Sequence, residues 1–302
     1  MFYYQLFGMI LESDIEFPQL IKAKESESDI QIKSGKIPEN IYAKEAQGCR
    51  YGFGKEISWL ANSYCYIYVE KGKQITYQLK ENGTVLQLRN YLMGWGMSML
   101  GLQKETIAMH CSVIASDEGA ILISGESGSG KSTLTNAFLS DGWKFMADDM
   151  AYVKTKEGGE VVVYPAFPYQ KLCRDAALRK GYNLDELIYL GEEKDKFFVP
   201  YQGDFVTHEM PVKALVVLML AAVDEVSVSE ITGMNKFMAC ANNLFLRHLL
   251  KQDRYTSVAG QESFRMAEGI RVFVIARPPE GDTLETVTRI AYEIADKVMK
   301  NE

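Results

Sequence analysis

The run Ala120-Ile121-Leu122-Ile123-Ser124-Gly125-Glu126-Ser127-Gly128-Ser129-Gly130-Lys131-Ser132 decides how this chain is read. Its first five residues are an apolar run of strand length, and residues 125–132 then fit G-x-x-x-x-G-K-[ST]. The helix-forming residues 132–139 follow, so strand, glycine loop and helix stand in the order a phosphate cradle needs. Glycines let the backbone curl until successive N–H groups point inward, and the helix N-terminus adds positive potential. Lys131 is placed to neutralise β/γ oxygens, and Ser132 offers a hydroxyl to Mg²⁺, an ion that prefers oxygen ligands. The expected nucleotide-binding set is Gly125, Ser127, Gly128, Ser129, Gly130, Lys131, Ser132 and Thr133, with Thr133 expected to pack within its helix.

Beyond this helix a largely apolar run, residues 143–146, leads to Ala147-Asp148-Asp149. Neighbouring strand residues point to opposite faces, so both carboxylates reach one site only where the chain leaves regular β geometry. One is then able to hold metal while the other faces substrate; a solvated turn or helix cap is the competing reading. His110 lies on the apolar run 106–116, ahead of the glycine loop, with a core histidine as its alternative.

Further out, the chain changes style near residue 103. Residues 2–11, 63–70, 73–79 and 84–88 read as short strands, with a hairpin tip at Glu81-Asn82-Gly83. Leu88, Tyr91, Leu92, Trp95, Met99 and Leu102 then recur at helical spacing with one single step, placing a helix to about Gln103. Later residues alternate: a strand pair at 212–220 and 226–231, helical stretches around 234–250, a strand at 270–276, and a final helix opened by Asp282 and Glu285 in capping-box spacing. The apolar runs beginning near Ala120, Lys144, Val161, Ala214 and Arg271 are expected to pack as neighbouring strands. The expected architecture is a β-rich domain over 1–103 ending in a bridging helix, followed by an α/β P-loop domain with a mixed sheet over 104–302.

His110, the loop Gly125 to Ser132, and the phrase Gly142-Trp143-Lys144-Phe145-Met146-Ala147-Asp148-Asp149 together resemble the HPr kinase/phosphorylase family, specifically its shorter HPr-kinase-like serine kinases. The resemblance spans about residues 106–153. It implies a phosphoenolpyruvate-carboxykinase-like P-loop domain and a kinase using ATP and Mg²⁺. It also implies that Asp148 accepts the serine proton, that Asp149 lies with Ser132 on the metal side, and that His110 orients the carboxylate-phosphate cluster. With Lys131, these are the expected catalytic and metal groups. The second glycine-rich signature of the bifunctional members has no counterpart here, so the resemblance does not extend to phosphorolysis or to HPr as acceptor. The segment Tyr164 to Leu172 resembles a Pro-aromatic-Pro stretch of the shorter relatives, making Lys171 and Arg174 candidate phosphate or substrate contacts, with plain surface positions as the alternative.

Composition sets the outer bounds. The chain has 302 residues, 47% hydrophobic and 24% charged, which is a globular balance. Its formal charge of −7 disfavours nucleic acid as a partner. The longest apolar run, Ala214 to Val223, is half of what a membrane-spanning helix needs, so no membrane segment is expected. Five cysteines without C-x-x-C spacing suit a reducing cytoplasm, and three histidines leave little material for zinc. No N-K-x-D guanine signature and no L-S-G-G-Q segment occurs. The sequence therefore points to a kinase acting on a hydroxyl, most simply a serine of a peptide or protein, in a monomer or an oligomer. A small-molecule kinase and a nucleotide-gated regulatory protein without phosphoryl transfer are the alternatives.

Overall fold

The computed structural model describes residues 1–191, 195–249 and 253–300. They form two compact units: residues 1–108, 167–201 and 248–258 make the first, and residues 109–166, 202–247 and 259–302 the second. The first unit thus takes in residues 104–108, 167–201 and 248–258, three stretches that the sequence reading assigned to the P-loop domain.

The first unit is mostly sheet. Strands β1 (Phe2–Leu6), β2 (Met9–Ser13), β3 (Ile21–Lys22), β4 (Ile30–Ser34), β5 (Tyr51–Gly52), β6 (Ile57–Ala61), β7 (Cys65–Glu70) and β8 (Gln74–Leu79) pair in the order β3-β1-β2-β4-β8-β7-β6-β5. Helix α1 (Glu39–Ala46) lies between β4 and β5 in sequence. The turn at residues 81–83 is not a hairpin tip, because residues 84–88 are not a strand. Thr84 and Gln87 form a capping box that opens helix α2 (Val85–Tyr91). Gly83 is required there for room: a Cβ would stand 2.1 Å from the carbonyl oxygen of Tyr64. The helix continues through a π turn (Leu92–Gly96) into α3 (Met97–Gln103). The π turn absorbs the single step in the apolar spacing, so Leu88 is buried before it, Leu92 at its start, and Met97, Met99 and Leu100 after it.

The second unit begins where β9 (Ile107–Met109) leads into β10 (Cys111–Ala115), β11 (Ala120–Gly125), α4 (Lys131–Ser140), β12 (Lys144–Ala147), β13 (Ala151–Thr155) and β14 (Val161–Tyr164). Strand β15 (Tyr169–Cys173), helix α5 (Arg174–Arg179) and strands β16 (Ile188–Tyr189) and β17 (Lys196–Pro200) belong to the first unit, as a small sheet ordered β15-β17-β16. The chain returns with β18 (Met210–Leu220), β19 (Ser227–Ile231), α6 (Gly233–Asn242), α7 (Asp253–Gly269, counted with the second unit from Ala259 onward), β20 (Arg271–Arg277) and α8 (Leu284–Met299).

The five apolar runs lie in one mixed sheet, in the order β12-β10-β11-β18-β14-β13, with β20 also on β18 and β19 outside it. Long β18 has room for three partners: β14 at Met210 and Pro211, β20 from Ala214 to Leu220, and β11 on its other side. Hence β19 pairs antiparallel with β20, whereas the sequence reading had paired it with β18. One face of the sheet, through Ile121, Ile123, Val216, Leu218, Phe273 and Ile275, buries against Leu134 and Phe138 of α4 and Val287, Ile290 and Ile294 of α8. Strand residues two apart and helix residues three or four apart supply these faces.

One further expectation changes. Helix α8 starts after Thr283, and Asp282 accepts only from the Leu284 N–H at 3.2 Å, so the Asp282/Glu285 box does not close. The helical stretches expected around residues 234–250 are α6, which stops at Asn242, and a separate 3₁₀ turn at Arg247–Leu249. The break has a cause in the site, because Asn243 is engaged there. Among the described residues no helix is long and apolar enough to cross a membrane.

Candidate active site

Strand β11 is buried along its whole length and delivers the glycine loop at its C-terminal end. Gly125 has φ 152°, and a Cβ on it would lie 2.5 Å from Ser129 Oγ and 2.6 Å from the Leu218 carbonyl oxygen. No other residue fits there. Gly128 (φ 87°) and Gly130 (φ 103°) take left-handed conformations, and Gly130 caps α4. The first-turn N–H groups of α4, at Lys131, Ser132 and Thr133, have no carbonyl within the helix to serve and so face outward for a ligand.

The loop's side chains differ in what they offer. Ser129 is 1% exposed and its Oγ has no hydrogen-bond partner, so this side chain packs beneath Gly125 and presents nothing to a ligand. Ser127 is exposed, and Lys131 and Ser132 are half-buried. Thr133, expected to pack within its helix, is exposed, while the next two residues, Leu134 and Thr135, turn into the core.

Register places the remaining candidates at the same edge. Strand β10 runs antiparallel to β11 with Cys111 opposite Ser124, and β12 runs antiparallel to β10 with Ala147 opposite Val113. The start of β10 and the end of β12 therefore both lie beside the glycine loop. Ser112 Oγ donates to Asp148 Oδ1 at 2.6 Å. Asp149 has φ 70°, and its carbonyl oxygen lies 2.9 Å from His110 Nδ1 while its own Oδ1 lies 3.7 Å away. A carbonyl can only accept, so Nδ1 carries the ring proton and the lone pair of neutral His110 sits on Nε2. Burial, together with the Lys131 charge, holds His110 below its ordinary pKa against the opposing pull of Asp149 and Asp148. The ring thus meets Asp149, while Ser112 holds Asp148.

Three residues that carry no motif shape this edge. Asn243 accepts at its carbonyl from the His110 N–H at 2.7 Å, and its Oδ1 lies 2.6 Å from the hydroxyl of buried Ser124, which also reaches the His110 carbonyl at 2.7 Å. Arg277, at the end of β20, donates from Nε to the Ser129 carbonyl and from Nη2 to the Gly128 carbonyl, both at 2.9 Å. The guanidinium thus grips the loop by two of its carbonyls, while the Ser129 N–H is held by the Glu126 carbonyl at 3.1 Å. Sequence reading missed Asn243, Ser124 and Arg277 because they act on backbone atoms of distant residues, which leave no local spacing to detect.

Other expectations lie elsewhere. Lys144 pairs at the surface with Asp117 at 2.6 Å. Arg174 is committed to Asp195 and lies over the Phe197 ring, 5.1 Å from its centre, in the first unit, which also holds Lys171. Among the described residues no three His, Cys, Asp or Glu side chains gather into a cage for a metal ion. A cation here would be held as Mg²⁺ commonly is, by one or two protein oxygens and the phosphates it accompanies. The left-handed glycines and the open space at Gly128 fit such a phosphate-bearing ligand.

No family model matches the sequence, and no curated protein matches it. Among solved structures, the Hpr(Ser) kinase/phosphatase from Coxiella burnetii is similar at 16% identity, over 63% of this chain and 97% of that chain, with a TM-score of 0.34. That likeness is too slight to carry a functional reading, which rests on the site's own geometry.

Proposed function

We propose that this chain is an ATP- and Mg²⁺-dependent kinase of the HPr-kinase-like serine kinase type. Its second unit would be a phosphoenolpyruvate-carboxykinase-like P-loop domain that moves the γ-phosphoryl group to the hydroxyl of a serine in a peptide or protein. The observation that carries this reading is the 2.6 Å bond from Ser112 to Asp148 at the sheet edge of the glycine loop. Strand β12 lies two places from β11. At about 4.8 Å per strand that leaves roughly 10 Å, room for a terminal phosphate and an acceptor hydroxyl between loop and carboxylate. A protein that only sensed nucleotide would need the cradle and not the fixed carboxylate.

In this reading the N–H groups of Gly128, Gly130, Lys131 and Ser132 hold the β-phosphate, that of Ser129 being given to the Glu126 carbonyl, and Lys131 neutralises the β/γ oxygens. The Ser132 hydroxyl and Asp149 would hold Mg²⁺, which when bound draws charge from the phosphoryl oxygens. Asp148 takes the serine proton as the acceptor oxygen bonds to phosphorus and the bond to the leaving ADP oxygen breaks. A carboxylate suffices because the proton leaves late, as the loose transition state collapses. His110 holds the Asp149 carbonyl and keeps the acidic turn in shape.

The test is incubation with γ-labelled ATP and Mg²⁺, with serine peptides, an HPr-like protein and small hydroxyl compounds offered separately. Label on a peptide or protein serine supports the reading; label on a small compound replaces the acceptor, and binding without transfer replaces the activity. Lys131→Ala should lose about 2–4 kcal/mol of transition-state stabilisation. Unchanged binding and transfer in that variant would remove the assignment.

A further inference from the structure

Helices α4 and α8 lie side by side on one face of the second unit's sheet, with Phe138 and Tyr292 in edge-to-face contact at 4.6 Å. Between them runs an open cleft of about 810 Å³, lined by Thr133 and Ala137 from one helix and Leu284, Glu285, Thr288 and Tyr292 from the other. That size is in the range of small-ligand sites. The cleft extends along α4 from Thr133 to Ser140, about 10 Å at 1.5 Å per residue. Both helices start at the same sheet edge, because β11 and β20 run parallel to β18. The end of the cleft at Thr133 and Leu284 is therefore the end beside the glycine loop, and exposed Thr133 is two residues from Lys131.

The walls suit a flat heterocycle. They offer Ala137, Leu284, two threonine methyls and the ring of Tyr292. That ring is fixed, since its hydroxyl donates to the Ala137 carbonyl at 3.1 Å. Burial, with the nearby Asp141 charge, raises the Tyr292 pKa and keeps the phenol neutral. Thr288 Oγ1 is buried without a hydrogen-bond partner, and a rotation about its Cα–Cβ bond turns that hydroxyl toward a ligand. The rim is acidic: Asp282, Glu285 and Glu293 face a single arginine, Arg289, already paired with Glu293 at 2.7 Å. Such a rim repels phosphate and accepts hydrogen bonds from hydroxyl and amino groups, which orders a nucleotide with its phosphates at the loop and its donors in the cleft.

Resting on the P-loop reading above, we propose that the cleft between α4 and α8 holds the nucleoside half of the nucleotide, a ribose with an amino-bearing purine such as adenine. The test is calorimetric titration of the full chain, with Mg²⁺, by ATP and by inorganic tripolyphosphate. The parent should bind ATP at least about tenfold more tightly than tripolyphosphate. Ala137→Leu, which fills the cleft, and Leu284→Trp, which closes its exposed mouth, should each weaken ATP by about tenfold and leave tripolyphosphate unchanged. Equal affinity of the parent for both ligands overturns the cleft assignment while leaving the P-loop reading in place. So does undiminished ATP binding by the variants. A parent that binds neither ligand overturns both.

Discussion

One backbone dihedral separates the tasks of the two adjacent carboxylates. On a regular strand Asp148 and Asp149 would face opposite ways, but the φ of 70° at Asp149 turns the chain so that both stay at the loop's edge. Aspartate tolerates that left-handed conformation better than most residues. Asp148→Asn keeps the shape and the Ser112 contact but removes the carboxylate proposed to accept the serine proton. Transfer should fall by roughly 10²–10⁴-fold with nucleotide affinity intact, whereas Asp149→Asn should chiefly raise the Mg²⁺ requirement. Steady-state kinetics beside ATP titration reads both, and full transfer by Asp148→Asn would move the base elsewhere. At Arg277 the expected effect is on binding. Arg277→Ala leaves two loop carbonyls without their charged donor and should weaken ATP by about 1.5–3 kcal/mol. Arg277→Lys should recover only part, since a point ammonium does not span two carbonyls as a planar fork does. Equal ATP affinity in all three proteins would show that the grip is idle. The acidic pair was legible in the sequence because two carboxylates after an apolar run are conspicuous, but its geometry was not, because nothing in Asp-Asp encodes a positive φ.

Elements were legible where their own residues decide them. The strand, loop and helix around Gly125 carry period and glycine signals together, and the five apolar runs could only be buried as neighbours. The phrase Gly142 to Asp149 proves to be two things joined. Its front end is a helix terminator: Gly142 at φ 88° sends its N–H to Leu139, Trp143 sends its own to Phe138 at 3.1 Å, and the two rings meet at 5.0 Å. Only its last two residues belong to the site. The turn before α2 was misread because Asn-Gly suits a hairpin as well as a helix entry, and the Thr84–Gln87 box that settles it looks like ordinary strand sequence. Pairing of β19 was equally hidden, since its partner is fixed by the long β18. That edge pairing makes a prediction. Glu230 of β19 accepts two bonds from Arg271 of β20, both at 2.8 Å, and these hold its pKa below the usual 4.5. A depressed carboxyl contributes stability that is complete above its unfolded pKa and is lost as pH falls through the folded one. Glu230→Gln should therefore cost up to about 1 kcal/mol near neutral pH and nothing once the pH has fallen far enough below 4.5 to protonate the parent's own carboxyl. Melting curves at the two pH values check it; a difference that persists in acid would assign the effect to packing.

At the scale of the whole molecule the cysteines give a readout of integrity. All five are free; Cys49 and Cys173 are exposed, and Cys65, Cys111 and Cys240 are buried. Burial pushes the thiol pKa to about 11 at Cys65 and to about 12 at Cys111 and Cys240. Iodoacetamide should thus modify Cys49 and Cys173 on the native protein and all five in denaturant, as mass spectrometry would record. Labelling of Cys111 under native conditions would contradict the packing beneath the site. Slow labelling of the three protected thiols would then measure how often their surroundings open. The arginine grip on the glycine loop has a consequence in time. Arg277 and Ser129 are 148 positions apart in the chain. A ribosome adding about 5–20 residues per second exposes the loop roughly 7–30 s before it delivers that arginine. Throughout that interval the nascent loop lacks its latch, and the carbonyls of Gly128 and Ser129 gain their charged donor only after synthesis has passed Arg277.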